Sequence, residues 1–459
     1  MMTRTRIFIG IATALAGTAV ALFGGGHGQT RSQAAPPPSA ADSAVLSRLV
    51  AGLAANDTKR YVAQLEGRRR DRNTLLLLGL AYQQRARETG DPRFFTLSDH
   101  ALREARMYSG TGGLADAGLA ALAISRHRFA AALPLARAAL RANPEEATAL
   151  GALGDALLNL GRYHQAFVAY NRMAELSPSV ASYSRIAHAR ELIGRPRAAA
   201  EALQLALTLR IPLREHRAAG LVQLGNVKFN AGDLRGARRA YAVALAALPG
   251  YVHAQAGLAR SEAAQGDFRR ALPRFRHVVE RLPLPQYAIW QGDALHAAGM
   301  QAAARRAYGL VSVIERVQAA NGVRTELQTA LFDLDHGRRL AEALGRAREA
   351  RNRAPSVDAD DVLAWALARN GRCGEALTFS RRALRLGTLD ASKYFHRGMI
   401  ERCLGHGAVA RRWFQRAMAV NPHFSLLWSP VARRYAAPRP NHFRPADESA
   451  PSSGRRETA

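Results

Sequence analysis

Apolar and small residues recur along this chain with the period of helices, and almost nowhere with the alternation of half-buried strands. Val45, Leu46, Leu49, Val50 and Leu53 form one stripe and predict a helix over residues 41–53. Tyr61, Val62 and Leu65 predict a shorter one ending at Gly67. From Asn73 the stripes come in pairs, each pair divided by a glycine and most of them closed by a proline. The last pair, Asp390 to Phe424, is the clearest: Tyr394, Gly398, Leu404-Gly405, Ala410, Phe414, Ala417 and Pro422. Gly398 and Ala410 are small where two helices approach closely, Tyr394 and Phe414 fill the space around that contact, Gly405 ends the first helix and Pro422 stops the second.

The same order of residues appears upstream. Leu78-Gly79 and Tyr82 open the series, followed by Ala132 and Pro144, then by Leu153-Gly154, Gly161, Ala166, Tyr170 and Pro178. Leu224-Gly225, Gly232, Ala237, Tyr241 and Pro249 restore it after a weaker copy around Tyr183, Gly194 and Ala199. Gly266, Ala271, Phe275 and Pro283, then Gly292, Gly299, Ala304 and Tyr308, repeat it again. A divergent copy holds Ala343, Ala350 and Pro355, and Leu363, Gly371, Ala376 and Ala383 form the penultimate one. Stretches near 88–98, 208–217 and 311–323 are lengthened.

This pattern resembles the tetratricopeptide repeat, a helix–turn–helix unit of about 34 residues with the signature W-x2-L-G-x2-Y…A-x3-F…P. The resemblance covers nearly all of 73–424 in about ten units and is closest to long exported bacterial members. It implies an all-α fold, a right-handed superhelical α-solenoid whose first helices (A) line a concave groove that holds peptides or partner proteins. The expected organisation is a signal segment over 1–23, a Gly/Pro-rich linker over 24–40 and an N-terminal helical cap over 41–72. The repeat array over 73–424 follows, then a capping helix over 425–436 and a disordered tail over 437–459.

The ends and the charge add to this picture. Arg4 and Arg6 precede an uncharged run from Ile7 to Phe23, as in a secretory signal. The run is also long enough, against about 17–25 residues, to serve as a single membrane anchor. Export, to the periplasm or outside or anchored by this segment, is therefore expected, and cleavage is left open. The formal net charge of +29 comes mostly from arginine, since Lys59, Lys228 and Lys393 are the only lysines. The arginines are spread over the chain except at Arg68-Arg69-Arg70, which favours a solvated basic surface over a nucleic-acid site, and no nucleic-acid motif is present. Binding of an anionic polymer or of lipid headgroups is the alternative function. Cys373 and Cys403 fall on one edge of successive units; the spacing leaves open whether they pair, and unpaired thiols are an equal reading.

No Walker loop, dinucleotide fingerprint, G-x-S-x-G or H-E-x-x-H occurs, and the array uses up the chain, so a non-enzymatic protein without a cofactor is expected. The repeat register places Asn226, Asn230, Arg260, Asp293, His296, Asp335, His336, Asp361 and Trp365 at A-helix positions that face the groove. Asn226, Asn230 and Arg260 could bond an extended peptide backbone, although the clamp by which chaperone-binding relatives grip a peptide carboxylate is absent: Val222 stands at its lysine position. Asp333, Asp335, His336, Asp358, Asp360 and Asp361 concentrate acid in a basic chain. They offer a metal site, an acidic spot for a basic peptide, or simply N-caps at Asp358, Asp360 or Asp361 and pairs from Asp333 or Asp335 to Arg338 or Arg339. The C-terminal Trp413, Phe414 and Trp428 are assigned to packing the end of the array.

Overall fold

The computed structural model describes residues 47–53, 57–68, 71–108, 112–209, 211 and 213–437. The expected signal segment and linker, and the expected tail after Ala437, lie outside these residues. Among the described residues every regular element is a helix. A helix over 47–53 and Thr58–Glu66 precede ten helix pairs. Units 1 to 4 are Arg72–Thr89 with Arg93–Arg106, Gly112–Ser125 with Phe129–Ala142, Ala147–Asn159 with Tyr163–Leu176, and Val180–Leu192 with Pro196–Thr208. Units 5 to 7 are Arg214–Asn230 with Leu234–Ala247, Val252–Ala264 with Phe268–Arg281, and Pro285–Ala297 with Gln301–Ala320. Units 8 to 10 are Glu326–Asp335 with Leu340–Arg353, Val357–Arg369 with Cys373–Ala383, and Ala391–Cys403 with Gly407–Val420. Ser429–Ala436 packs on the last of them, with Trp428 against Trp365 and Phe395.

The two helices of a unit differ in kind. Gly112–Ser125 carries a single charged residue and is buried nearly all round, whereas Phe268–Arg281 buries Ala271, Phe275, Val278 and Val279 and turns Arg269, Arg270 and Arg276 to solvent. Helices buried on every side form an inner layer, and helices with one apolar stripe form the outer one. The two layers meet at the small residues named by the pattern. A Cβ added to Gly398 would lie 2.7 Å from the Phe414 ring, and Gly154, Gly225 and Gly292 are even closer to Tyr170, Tyr241 and Tyr308. The lengthened stretch around Phe94 and Phe95 is also helical: it opens the second helix of unit 1, where Phe94 stacks near Tyr82.

Most inner helices end in a glycine with positive φ, and at three of them the glycine has a second duty. Gly161, Gly194 and Gly232 face the backbone carbonyls of Pro355, Gly387 and Val420. Those residues belong to the next turn of the superhelix. Three hydrogen bonds join the turns alongside: the Val357 amide to the Tyr163 hydroxyl, the Thr388 hydroxyl to the Leu192 carbonyl, and the Asn421 side-chain amide to the Phe229 carbonyl. Each spans 192–196 residues. In unit 2 the glycine is replaced by His127, also at positive φ, whose ring Nδ1 meets the Arg324 carbonyl of the following turn. The superhelix thus closes against itself.

Gly371 has the same φ, 76° against 75° at Gly161, but nothing near its missing side chain. Gly371→Ala is therefore expected to cost about 1–2 kcal/mol through backbone strain alone. Gly161→Ala adds a Cβ placed 2.6 Å from the Pro355 carbonyl oxygen and should cost more while separating the turns. Small-angle scattering should give a larger radius for Gly161→Ala/Gly194→Ala and an unchanged one for Gly371→Ala. Identical scattering from both would show that the inter-turn contact does not hold the spiral closed.

Cys373 and Cys403 are joined in a disulfide, with Cα atoms 6.2 Å apart. The spacing alone had left free thiols as an equal reading. They pair because Cys373 opens the outer helix of unit 9 and Cys403 ends the inner helix of unit 10, and stacking brings those two ends side by side.

Candidate functional site

The polar residues of the inner layer form a ladder between neighbouring inner helices. Three of the rungs begin about one turn before the end of an inner helix. Asp155, Asn226 and Asp293 occupy one equivalent site and accept hydrogen bonds from Tyr170, Tyr241 and Tyr308, at 2.9, 2.7 and 3.0 Å. A buried tyrosine hydroxyl needs such a partner, and burial raises the phenols of Tyr170 and Tyr241. The Asp155 carboxylate also receives Arg185 of the next unit in a two-point pair at 2.8–3.0 Å. Asp293 receives His336 Nε2 at 2.8 Å, and Asn230 donates to Glu191 at 3.3 Å.

Farther along, Trp365 Nε1 donates to Asp335 at 3.1 Å, and His396 Nδ1 lies 3.0 Å from Asp361. Arg260 lies over the rings of Phe229 and Trp290, at 3.8 and 4.9 Å, and burial lowers its pKa to about 10. Cation–π contact with two rings supplies part of what the guanidinium loses on leaving water.

The residues expected to face an open groove are placed as follows. Asn226, Asn230, Arg260, Asp293, Asp335, Asp361 and Trp365 are buried, and His336 is nearly so. Asp293 and His336 are brought together, as are Asp335 and Trp365. His296 alone of the set is exposed. Their polar atoms are used largely within the solenoid, a role that the repeat register does not distinguish from groove lining.

The acidic constellation is likewise resolved into pairs. Ser356, not an aspartate, caps Val357–Arg369, accepting from the Ala359 amide at 3.2 Å. The three aspartates expected as caps sit inside the helix instead. Asp358 binds Lys393 at 2.6 Å, Asp360 binds Arg351 and Arg385, and Asp361 meets His396. Asp333 pairs with Arg339, as anticipated, and with Arg346. Among the described residues no three His, Cys, Asp or Glu side chains converge as metal ligands.

Sequence reasoning passed over Arg185, Glu191 and Lys393 because their partners are one unit away. The recurring Asp or Asn fifteen residues before a Tyr was a signal available in the chain.

Stacked helix pairs of this kind, knitted unit to unit, define a helical repeat solenoid. The tetratricopeptide repeat family model matches residues 116–181 and 256–320, so the chain contains tetratricopeptide repeats. No curated protein sequence matches it. Among solved structures, it is similar to MamA at 20% identity, covering 37% of this chain and 97% of that one with a TM-score of 0.29. It is similar to a chain of the APC/C hetero-tetramer Cut9-Hcn1 at 13% identity, over 86% and 84%, with a TM-score of 0.40. YrrB, described as a TPR protein with an unusual peptide-binding site, is 20% identical over 44% of this chain and 99% of its own, with a TM-score of 0.28. Tetratricopeptide repeats generally mediate binding between proteins.

Proposed function

We propose that this protein is a non-enzymatic scaffold of the cell envelope that holds a protein or peptide partner. The observation that carries this reading is the outer layer, which alternates arginines with apolar side chains in the open. Arg235, Arg239, Arg269, Arg270, Arg305 and Arg306 are exposed on three consecutive outer helices. Leu205, Val243 and Val313 are 51%, 50% and 45% exposed on outer helices of the same region. Arginine beside apolar surface is the composition of protein interfaces, whereas a polyanion needs only the charge. A peptide held in the groove by Asn226, Asn230 or Arg260 is the less favoured geometry, because those side chains are already buried. The envelope location is supported by the composition of residues 1–23 and by the Cys373–Cys403 disulfide, which persists in oxidising compartments.

The alternative, an anionic polymer or lipid headgroups on the same arginines, is separated by salt. Tagged full-length protein is expected in the envelope fraction, retaining a discrete set of proteins when salt rises from about 50 to 200 mM, a change that weakens polyanion binding by orders of magnitude. A Leu205→Glu/Val243→Glu variant, changed only at exposed positions, should lose that set. Retention of polyanion alone, released by salt, would hand the function to the alternative, and recovery from the cytoplasmic fraction would remove the envelope assignment.

A further inference from the structure

The first superhelical turn meets the second around a cavity of about 230 Å³. Its walls come from the first helix of unit 1, the start of unit 5, and the loops on either side of unit 6. One wall is apolar, with Leu53, Leu213 and Leu282 each less than 7% exposed. The other carries Gln84, Arg87, Glu88, Glu215 and Arg281. Gln84 is 3% exposed, and its amide nitrogen donates to both Glu88 and Glu215, fixing two carboxylates at the wall. Thr58 and Arg85 hold Glu88 from behind, at 2.6 and 3.0 Å.

Two groups at this wall are left wanting. The Gln84 carbonyl oxygen has no hydrogen-bond partner, and neither has Arg87 Nε, although both atoms are buried. No ion pair ties the Arg87 guanidinium among the described residues: Glu215 and Glu88 act on it only through their charge. Burial holds Arg87 below its ordinary range and Glu215 above its own.

We propose that this cavity binds a small zwitterion, a free α-amino acid with an aliphatic side chain. Its carboxylate meets the terminal guanidinium nitrogens of Arg87, its ammonium group meets Glu215, and its side chain lies on Leu53, Leu213 and Leu282. A plain anion would face two carboxylates, and a plain cation would face the guanidinium groups of Arg87 and Arg281. Only a ligand carrying both charges answers the whole wall. The volume lies below that of drug-sized pockets, about 300–1,000 Å³, and suits a molecule of this size. Because the walls belong to two turns of the superhelix, the bound ligand also bridges them.

The test is titration calorimetry on the full chain with L-valine, L-leucine, L-isoleucine and L-methionine, and with N-acetyl-leucine and leucinamide as controls. At least one free amino acid should bind at one site per chain. Each leucine derivative, lacking one of the two charges, should bind weaker than leucine by about tenfold or more, as expected for losing a charged hydrogen bond. This comparison needs no variant and so cannot be confused with misfolding. Arg87→Gln should then bind leucine and leucinamide alike, and Glu215→Gln should bind leucine and N-acetyl-leucine alike. Absence of saturable binding by all four amino acids would overturn the proposal, as would binding indifferent to both derivatives.

Discussion

Replacing Lys393 with methionine is expected to destabilise the C-terminal units by about 3–5 kcal/mol, the usual result of leaving a buried carboxylate without its cation. Lys393 is 1% exposed, and its ammonium group lies 2.6 Å from Asp358 of the preceding unit and 3.7 Å from Asp390 of its own. Asp390 is in turn the cap of the inner helix of unit 10, accepting from the Ser392 and Lys393 amides. Methionine matches the length of the stem but removes the charge, so Asp358 must be buried alone or take up a proton. Removing both charges, in Lys393→Met/Asp358→Leu, should recover most of the loss, because the desolvation cost of the pair disappears with it. In a linear array the effect is local. Hydrogen exchange should accelerate in units 9 and 10 and stay near its wild-type rate in units 1 and 2. A single variant within about 1 kcal/mol of wild type would mean that the pair is open to water.

The second large effect is acid sensitivity centred on His216. This side chain is 1% exposed, neither ring nitrogen has a hydrogen-bond partner, and burial, assisted by the charge of Arg87, lowers its pKa to about 3. Burial, again with Arg87, brings the nearby His253 to about 4. An unfolded histidine titrates near 6.5. Between that value and about 3 the unfolded chain binds a proton that the folded chain refuses, so stability is complete above pH 6.5 and falls as pH is lowered. At pH 4 the loss from His216 alone is about 3 kcal/mol. The melting temperature of the wild type should therefore drop between pH 7 and pH 4, and that of His216→Leu should drop less. Equal drops would show that the acid response arises elsewhere.

Much of the fold was legible because a tetratricopeptide unit is held by contacts within about 34 residues. Gly154 with Tyr170 and Gly398 with Phe414 are such contacts, and their spacing is visible in the chain itself. The position of Asp155, Asn226 and Asp293 was equally visible, but not its use: the same residue types would line an open groove or bond a buried tyrosine. Helix caps were misjudged at Val357–Arg369, where three aspartates outweighed Ser356 by number although the serine stands at the boundary.

What the sequence by itself determined is the repeat: ten helix pairs, the glycine that ends most inner helices, and the small-to-aromatic contacts that join inner to outer layer. Only the tertiary structure decided which polar residues are buried, that Cys373 meets Cys403, and that Gly161, Gly194 and Gly232 touch the turn above them. The reason is geometric. Each unit adds a small rotation to the one before, and no single repeat encodes their sum. Contacts that depend on the sum, 192–196 residues apart, exist only once the whole spiral is built.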